Sequence, residues 1–95
     1  MQKATARFET AHGRKYLAQL CKHFGHKTEV EYSEDEGRCA LSTGPAEMHA
    51  DDGGITFDVH AEDAAGLERA KGIIVSHLVR FAFRENLEEL AWSEA

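Results

Sequence analysis

The stretch from Ala46 to Val59 leaves this chain little freedom. Ala46, Met48 and Ala50 alternate with Glu47 and His49; after Asp51-Asp52-Gly53-Gly54 the same period returns in Ile55, Phe57 and Val59 against Thr56, Asp58 and His60. An apolar residue at every second position is the pattern of a half-buried strand, and an Asp-Gly pair between two such runs reads as a tight hairpin. A two-residue Asp52-Gly53 turn pairs Ala50 with Ile55, Met48 with Phe57 and Ala46 with Val59, so every apolar pair shares one face. The opposite face then holds Glu47 beside Asp58 and His49 beside Thr56. Like charges side by side need water or a cation, so that face is either solvated or a site.

The same period extends the sheet. Ala4, Ala6 and Phe8 alternate with Thr5, Arg7 and Glu9, giving a short first strand over 3–9. Val30 and Tyr32 alternate with Glu29 and Glu31; a polar turn at Ser33-Glu34-Asp35-Glu36-Gly37 leads to a strand carrying Cys39 and Leu41. The period changes to 3.6 in two places. With Thr10 as N-cap and Gly25 as stop, Gly13, Tyr16, Leu17, Leu20, Cys21 and Phe24 share one arc of a first helix. Asp63 caps a longer helix from Ala61 to about Glu85, with Leu67, Ala70, Ile74, Leu78 and Phe81 as its core stripe. Val75, Val79 and Phe83 form a separate row on that helix. It is covered by the tail carrying Leu87, Leu90 and Trp92, the reading favoured here because a Trp near a terminus docks to bury its apolar area, or it meets a second copy of the chain.

These elements add up to one α+β domain over 1–95, with a C-terminal tail over 86–95 docking through Trp92. The expected architecture is a two-layer sandwich: a mainly antiparallel sheet of about five strands with two helices on one face, in the order strand, helix, four strands, helix.

Charge and cysteine usage narrow the function. A net charge of −6, with no dense run of Lys and Arg, excludes a phosphate-tracking nucleic-acid surface. Residues 1–20 contain no apolar leader core, and no apolar run reaches the roughly 18 residues of a membrane span, so neither membrane nor export is expected and the location is cytoplasmic. Cys21 and Cys39 are too few for a disulfide scaffold and fall on apolar stripes, as reduced core thiols do.

Candidate chemistry gathers at two helix edges. His12, Tyr16, Gln19, His23 and His26 follow spacings of four, three, four and three, and line one edge of the first helix if it persists past Gly25. Cys21-x-His23-x-x-His26 offers three metal-type donors, but at about 100° per residue Cys21 projects roughly 160° from His23, whereas His23 and His26 lie about 60° apart. That leaves a His23/His26 pair, completed by His12, His49 or a carboxylate, as the metal candidate, against the alternative that both imidazoles cap carbonyls at the helix end. Cys21 with His23 or His77 is the one thiol–imidazole pairing to test. His77, Arg80 and Arg84 form a cationic edge on the second helix, which Glu85 and Glu88 neutralise through local pairs. If the two edges face each other they outline a groove for an anionic ligand. No Gly-rich phosphate loop, G-x-S-x-G or H-E-x-x-H is present.

Tyr16-Leu17-Ala18-Gln19-Leu20-Cys21-Lys22-His23-Phe24-Gly25-His26-Lys27 and His77-Leu78-Val79-Arg80-Phe81-Ala82-Phe83-Arg84-Glu85, with the strands between them, resemble a bacterial family known as domain of unknown function twenty-two eighteen. The resemblance spans nearly the whole chain. It implies a fold similar to TATA-binding-protein-like or phosphohexomutase C-terminal domains and an association with siderophore-interacting proteins and iron handling; it brings no established catalytic residue and no cofactor. The leading expectation is therefore a binding or accessory module for a small molecule or protein, with Tyr16, His23, His26, His77, Arg80 and Arg84 as candidate ligand-binding residues. The alternatives are a small metal-dependent or thiol enzyme, and a domain that self-associates weakly through Val75, Val79 and Phe83.

Overall fold

A computed structural model describes residues 1–85, 87 and 89–94. In chain order the elements are β1 (Gln2–Glu9), α1 (Gly13–Phe24), β2 (Val30–Tyr32), β3 (Glu36–Leu41), β4 (Gly44–Asp51), β5 (Gly54–Ala61), α2 (Ala64–Phe81), a 3₁₀ turn (Phe83–Glu85) and β6 (Ser93–Glu94). The strands form a single sheet in the order β2-β3-β4-β5-β1-β6, every pairing antiparallel. Both helices pack on one of its faces, making the two-layer α+β sandwich that the periodicities require.

The hairpin register follows the apolar alternation. Ala50 opposes Ile55, Met48 opposes Phe57 and Ala46 opposes Val59, and β1 continues the same layer by setting Ala6 against Phe57 and Ala4 against Val59. Met48, Phe57, Ile55 and Val59 are completely buried under Leu17 and Leu20 of α1 and Leu67, Ile74 and Leu78 of α2. Complete burial of each large side chain contributes about 1.5–3 kcal/mol over leaving it in water, so these positions carry the fold.

Two glycines set how closely the layers approach. A Cβ on Gly13 would stand 2.3 Å from the Gly54 carbonyl oxygen, so α1 starts pressed directly onto the beginning of β5. A Cβ on Gly37 would stand 2.7 Å from Cys21 Sγ; the bare β3 backbone is the floor on which that thiol rests.

Several boundaries depart from the sequence reading. The helix does not begin under Thr10: its N-cap is His12, with no side-chain cap. Thr10 is buried instead, its amide donates to Gly53 O at 3.1 Å, and its hydroxyl accepts from the His12 amide while donating to Glu85. Gly25 follows the last residue of α1 but keeps right-handed dihedrals, φ −61° and ψ −17°, so the chain leaves by overlapping turns, His26 N donating to His23 O and Lys27 N to Phe24 O. Asp63 caps α2 as expected, accepting from the Gly66 amide at 2.7 Å. That helix starts at Ala64 and ends at Phe81, short of Ala61 and Glu85, because the chain tightens into the 3₁₀ turn that directs Glu85 back to α1.

A sixth strand was not expected. β6 is only two residues long and has no alternation to read, yet it pairs Ser93 with Thr5 and Glu94 with Ala4, occupying the free edge of β1. Leu90 is buried, and Leu87 and Trp92 pack against the core together with Val75. The tail does not cover the whole row assigned to it, since Phe83 remains 65% exposed. Tyr32, expected to face the core beside Val30, is 45% exposed because it ends an edge strand where its partner is Gly37, which has no side chain to enclose it.

Candidate functional site

The last turn of α1 and the middle of α2 bring His23 and His77 together, ring centroids 4.7 Å apart. Phe24 lies edge-on to His77 at 5.0 Å, and Phe81 edge-on to His23 at 6.2 Å, so aromatic packing fixes both imidazoles. The pair stands at a cavity of about 360 Å³ that runs between the helices and the β3–β4 turn; Phe24, Ala40, Leu41 and Ile73 give it apolar walls, and Lys27, Thr28 and Ser42 give it polar ones. A concave, mainly apolar volume with a few converging polar groups is the usual form of a small-molecule site.

The protonation of this pair follows from its contacts. His77 Nδ1 lies 2.6 Å from the Ile73 carbonyl oxygen. A carbonyl only accepts, so Nδ1 carries the hydrogen and Nε2 of the neutral ring is left as an acceptor. Ser76 Oγ, 3.4 Å from Nδ1, also donates to Ile73 O, at 3.2 Å; the Ser–His contact is therefore two donors on one carbonyl, with no base facing the hydroxyl. Partial burial, followed by the positive neighbours His77, Lys27, His26 and Arg80, pulls the His23 imidazole below its ordinary value. No acidic group is among the causes of that shift.

A second depression lies further along α1, about 540 Å³ in volume, lined by His12, Lys15, Tyr16, Gln19, Phe81, Phe83, Arg84 and Glu85. Tyr16 and Thr10 both donate to the Glu85 carboxylate, and burial, then the Glu85 hydrogen bond, pushes the Tyr16 phenol up to about 12. Arg84 lays its guanidinium over the Phe83 ring, 5.6 Å from the centroid. The two helix edges do face each other, but Glu85 supplies a carboxylate at this end, so a single cationic groove from Tyr16 to His77 does not form.

The candidate residues thus divide. His23 and His77 converge; Arg80 is exposed and near enough to His23 to act on its charge; Tyr16 and Arg84 belong to the second depression; His26 is exposed and lines neither. Glu88, assigned to neutralise the cationic edge, lies outside the described residues. Among the described residues no three His, Cys, Asp or Glu side chains gather as a metal-binding group. Cys21 and Cys39 are both free and buried, and the neighbouring Cys21 thiol, then burial, pushes the Cys39 thiol up. On the open face of the sheet, Thr5 donates to Asp58 at 2.6 Å and His60 stands 3.4 Å from Glu47, so the adjacent carboxylates have partners there.

Sequence reasoning missed Lys27, Leu41, Ser42 and Ile73 as parts of one wall. They come from the exit of α1, the β3–β4 turn and the midpoint of α2, and nothing local to any of the three segments marks a cavity.

Fold and cavity together define a small antiparallel α+β domain with a ligand-sized cleft beside its paired helices. The chain belongs to a family of uncharacterised proteins conserved in bacteria (DUF2218), whose family model matches residues 5–93. It is similar to PA4090 from Pseudomonas aeruginosa, a structure determined by NMR, with 27% sequence identity and a TM-score of 0.79 over 100% of this chain and 96% of that one. No curated protein matches the sequence. No helix among the described residues is long and apolar enough to cross a membrane.

Proposed function

We propose that this protein is a binding module that takes a small molecule into the cleft between the end of α1, the middle of α2 and the β3–β4 turn. The observation that carries this reading is the convergence of His23 and His77, 4.7 Å apart, on a largely apolar cavity of about 360 Å³. Binding is favoured over catalysis because the described groups around the imidazoles form no nucleophile–base pair: Ser76 shares a carbonyl with His77 Nδ1, and Cys21 is buried in the core. The tie to siderophores and iron rests on the family resemblance alone. The two reduced, buried thiols suit a reducing compartment, and we place the module in the cytoplasm.

The test is a screen of small aromatic and aliphatic compounds by protein-observed NMR. Hits are expected to move resonances of Phe24, Leu41, Ile73 and His77 together and to lose affinity in Ile73→Trp, which fills the cavity. Shifts confined to the open face of the sheet, or hits insensitive to the filled cavity, sink the reading.

A further inference from the structure

Among the described residues, the titratable groups that line the cavity or act on His23 are all basic, in a chain whose net charge is −6. From α1 come His23 and, just past its end, His26 and Lys27; from α2 come His77 and Arg80; the β3–β4 side contributes Ala40, Leu41 and Ser42, which do not titrate. Among the described residues, no carboxylate lies within salt-bridge distance of Lys27, Arg80, His23 or His77, whereas Lys3 has one and Arg7, Arg14 and Lys71 have two each. Burial, and after it these positive neighbours, holds the His23 imidazole below its ordinary value, and the same neighbours raise the local affinity for an anion.

The lining also limits the kind of anion. Phe24, Ala40, Leu41 and Ile73 demand an apolar body. Thr28 already donates its hydroxyl to the Ala40 carbonyl, so one lysine and the Ser42 hydroxyl are the donors at the wall and suit a single negative charge; a doubly charged phosphate calls for an Arg fork or a helix N-terminus, and this cavity lies at the exit of α1. His77 Nε2 supplies what a carboxylate needs only when protonated, since the neutral ring there has a lone pair facing outward.

Resting on the binding reading above, we infer that the ligand is a small monocarboxylate with an apolar body, and that its binding is accompanied by uptake of one proton onto the His23/His77 pair. The proton comes from solvent; no covalent bond is made or broken. The carboxylate offsets the positive neighbours of His23 and accepts from a protonated ring, so the site holds its ligand more tightly as pH falls towards 6 and releases it as pH rises.

The test uses benzoate and its uncharged counterpart benzyl alcohol with the full chain, followed by NMR of backbone amides and imidazole carbons. Benzoate is expected to perturb Phe24, Leu41, Ile73 and His77, to raise the midpoint of His23 or His77 by about one pH unit, a tenfold change in proton affinity, and to weaken up to about tenfold per pH unit above neutrality. Lys27→Gln is expected to weaken benzoate and leave benzyl alcohol unchanged. Equal binding of both probes at the cavity overturns the carboxylate inference while leaving the binding reading intact; no perturbation of the cavity by either overturns both. Benzoate shifts scattered over exposed Lys and Arg side chains, with histidine midpoints unmoved, overturn the inference as nonspecific ion pairing.

Discussion

Tyr16, on the second turn of α1, donates its phenolic hydrogen to Glu85, which follows α2, so one hydrogen bond ties the start of one helix to the end of the other. Thr10 donates to the same carboxylate at 2.8 Å, which is why Glu85 rather than a local cap secures this corner of the molecule.

That tie predicts an alkaline transition. With burial and Glu85 holding the Tyr16 phenol at about 12, the folded chain keeps its proton where an unfolded tyrosine, near about 10, loses it. Tyr16 therefore favours the folded state below pH 10, and this contribution is lost as pH rises from 10 to 12. In a Tyr32→Phe background the ultraviolet phenolate signal of Tyr16 is expected to appear near 12, and Glu85→Gln is expected to shift it downward.

Arg7 and Asp51 predict the acid end. A bidentate contact, Nη2–Oδ1 at 2.9 Å and Nη1–Oδ2 at 3.1 Å, followed by the Gly53 amide, lowers the Asp51 carboxyl to about 2. A depressed carboxyl stabilises the fold above its unfolded value near about 4, and that stabilisation goes as pH falls through the folded value. Carbon-detected NMR is expected to find the Asp51 midpoint near 2, and Arg7→Gln is expected to return it upward. The site is exposed, so the change in overall stability is expected to be small.

Phe57 faces Met48 on one side and Ala6 on the other, and is completely buried. Phe57→Ala is expected to cost about 3–5 kcal/mol and Met48→Ala about 2–5 kcal/mol in urea unfolding. Because the two side chains are cross-strand partners, the double variant is expected to depart from the sum of the singles.

Gly37→Ala places a methyl 2.7 Å from Cys21 Sγ, and about 1–3 kcal/mol of destabilisation is expected from the overlap. Cys21→Ala removes the sulfur, so the double variant is expected to be less destabilised than the two single changes added together. Strict additivity would show that the thiol does not rest on Gly37.

The alternation through Ala46–Ala50 and Ile55–Val59 was enough, by itself, to set a hairpin register that the structure reproduces pair by pair, because a slip of one residue would turn its entire apolar face to water. The buried arc of α1, from Gly13 to Phe24, was legible for the same reason: each side chain answers to a local period and to one sheet beneath it. The end of α2, the edge strand β6 and the role of Thr10 were not, since they depend on Glu85 reaching α1 and on which edge of β1 stays free. The cleft was only half visible. His23 and His77 carry titratable groups on readable helix edges, but their 4.7 Å approach and the wall of Lys27, Leu41, Ser42 and Ile73 are set by how the helices cross the sheet. Periodicity determines which face of a segment is buried; only the packed layers decide which distant segments meet.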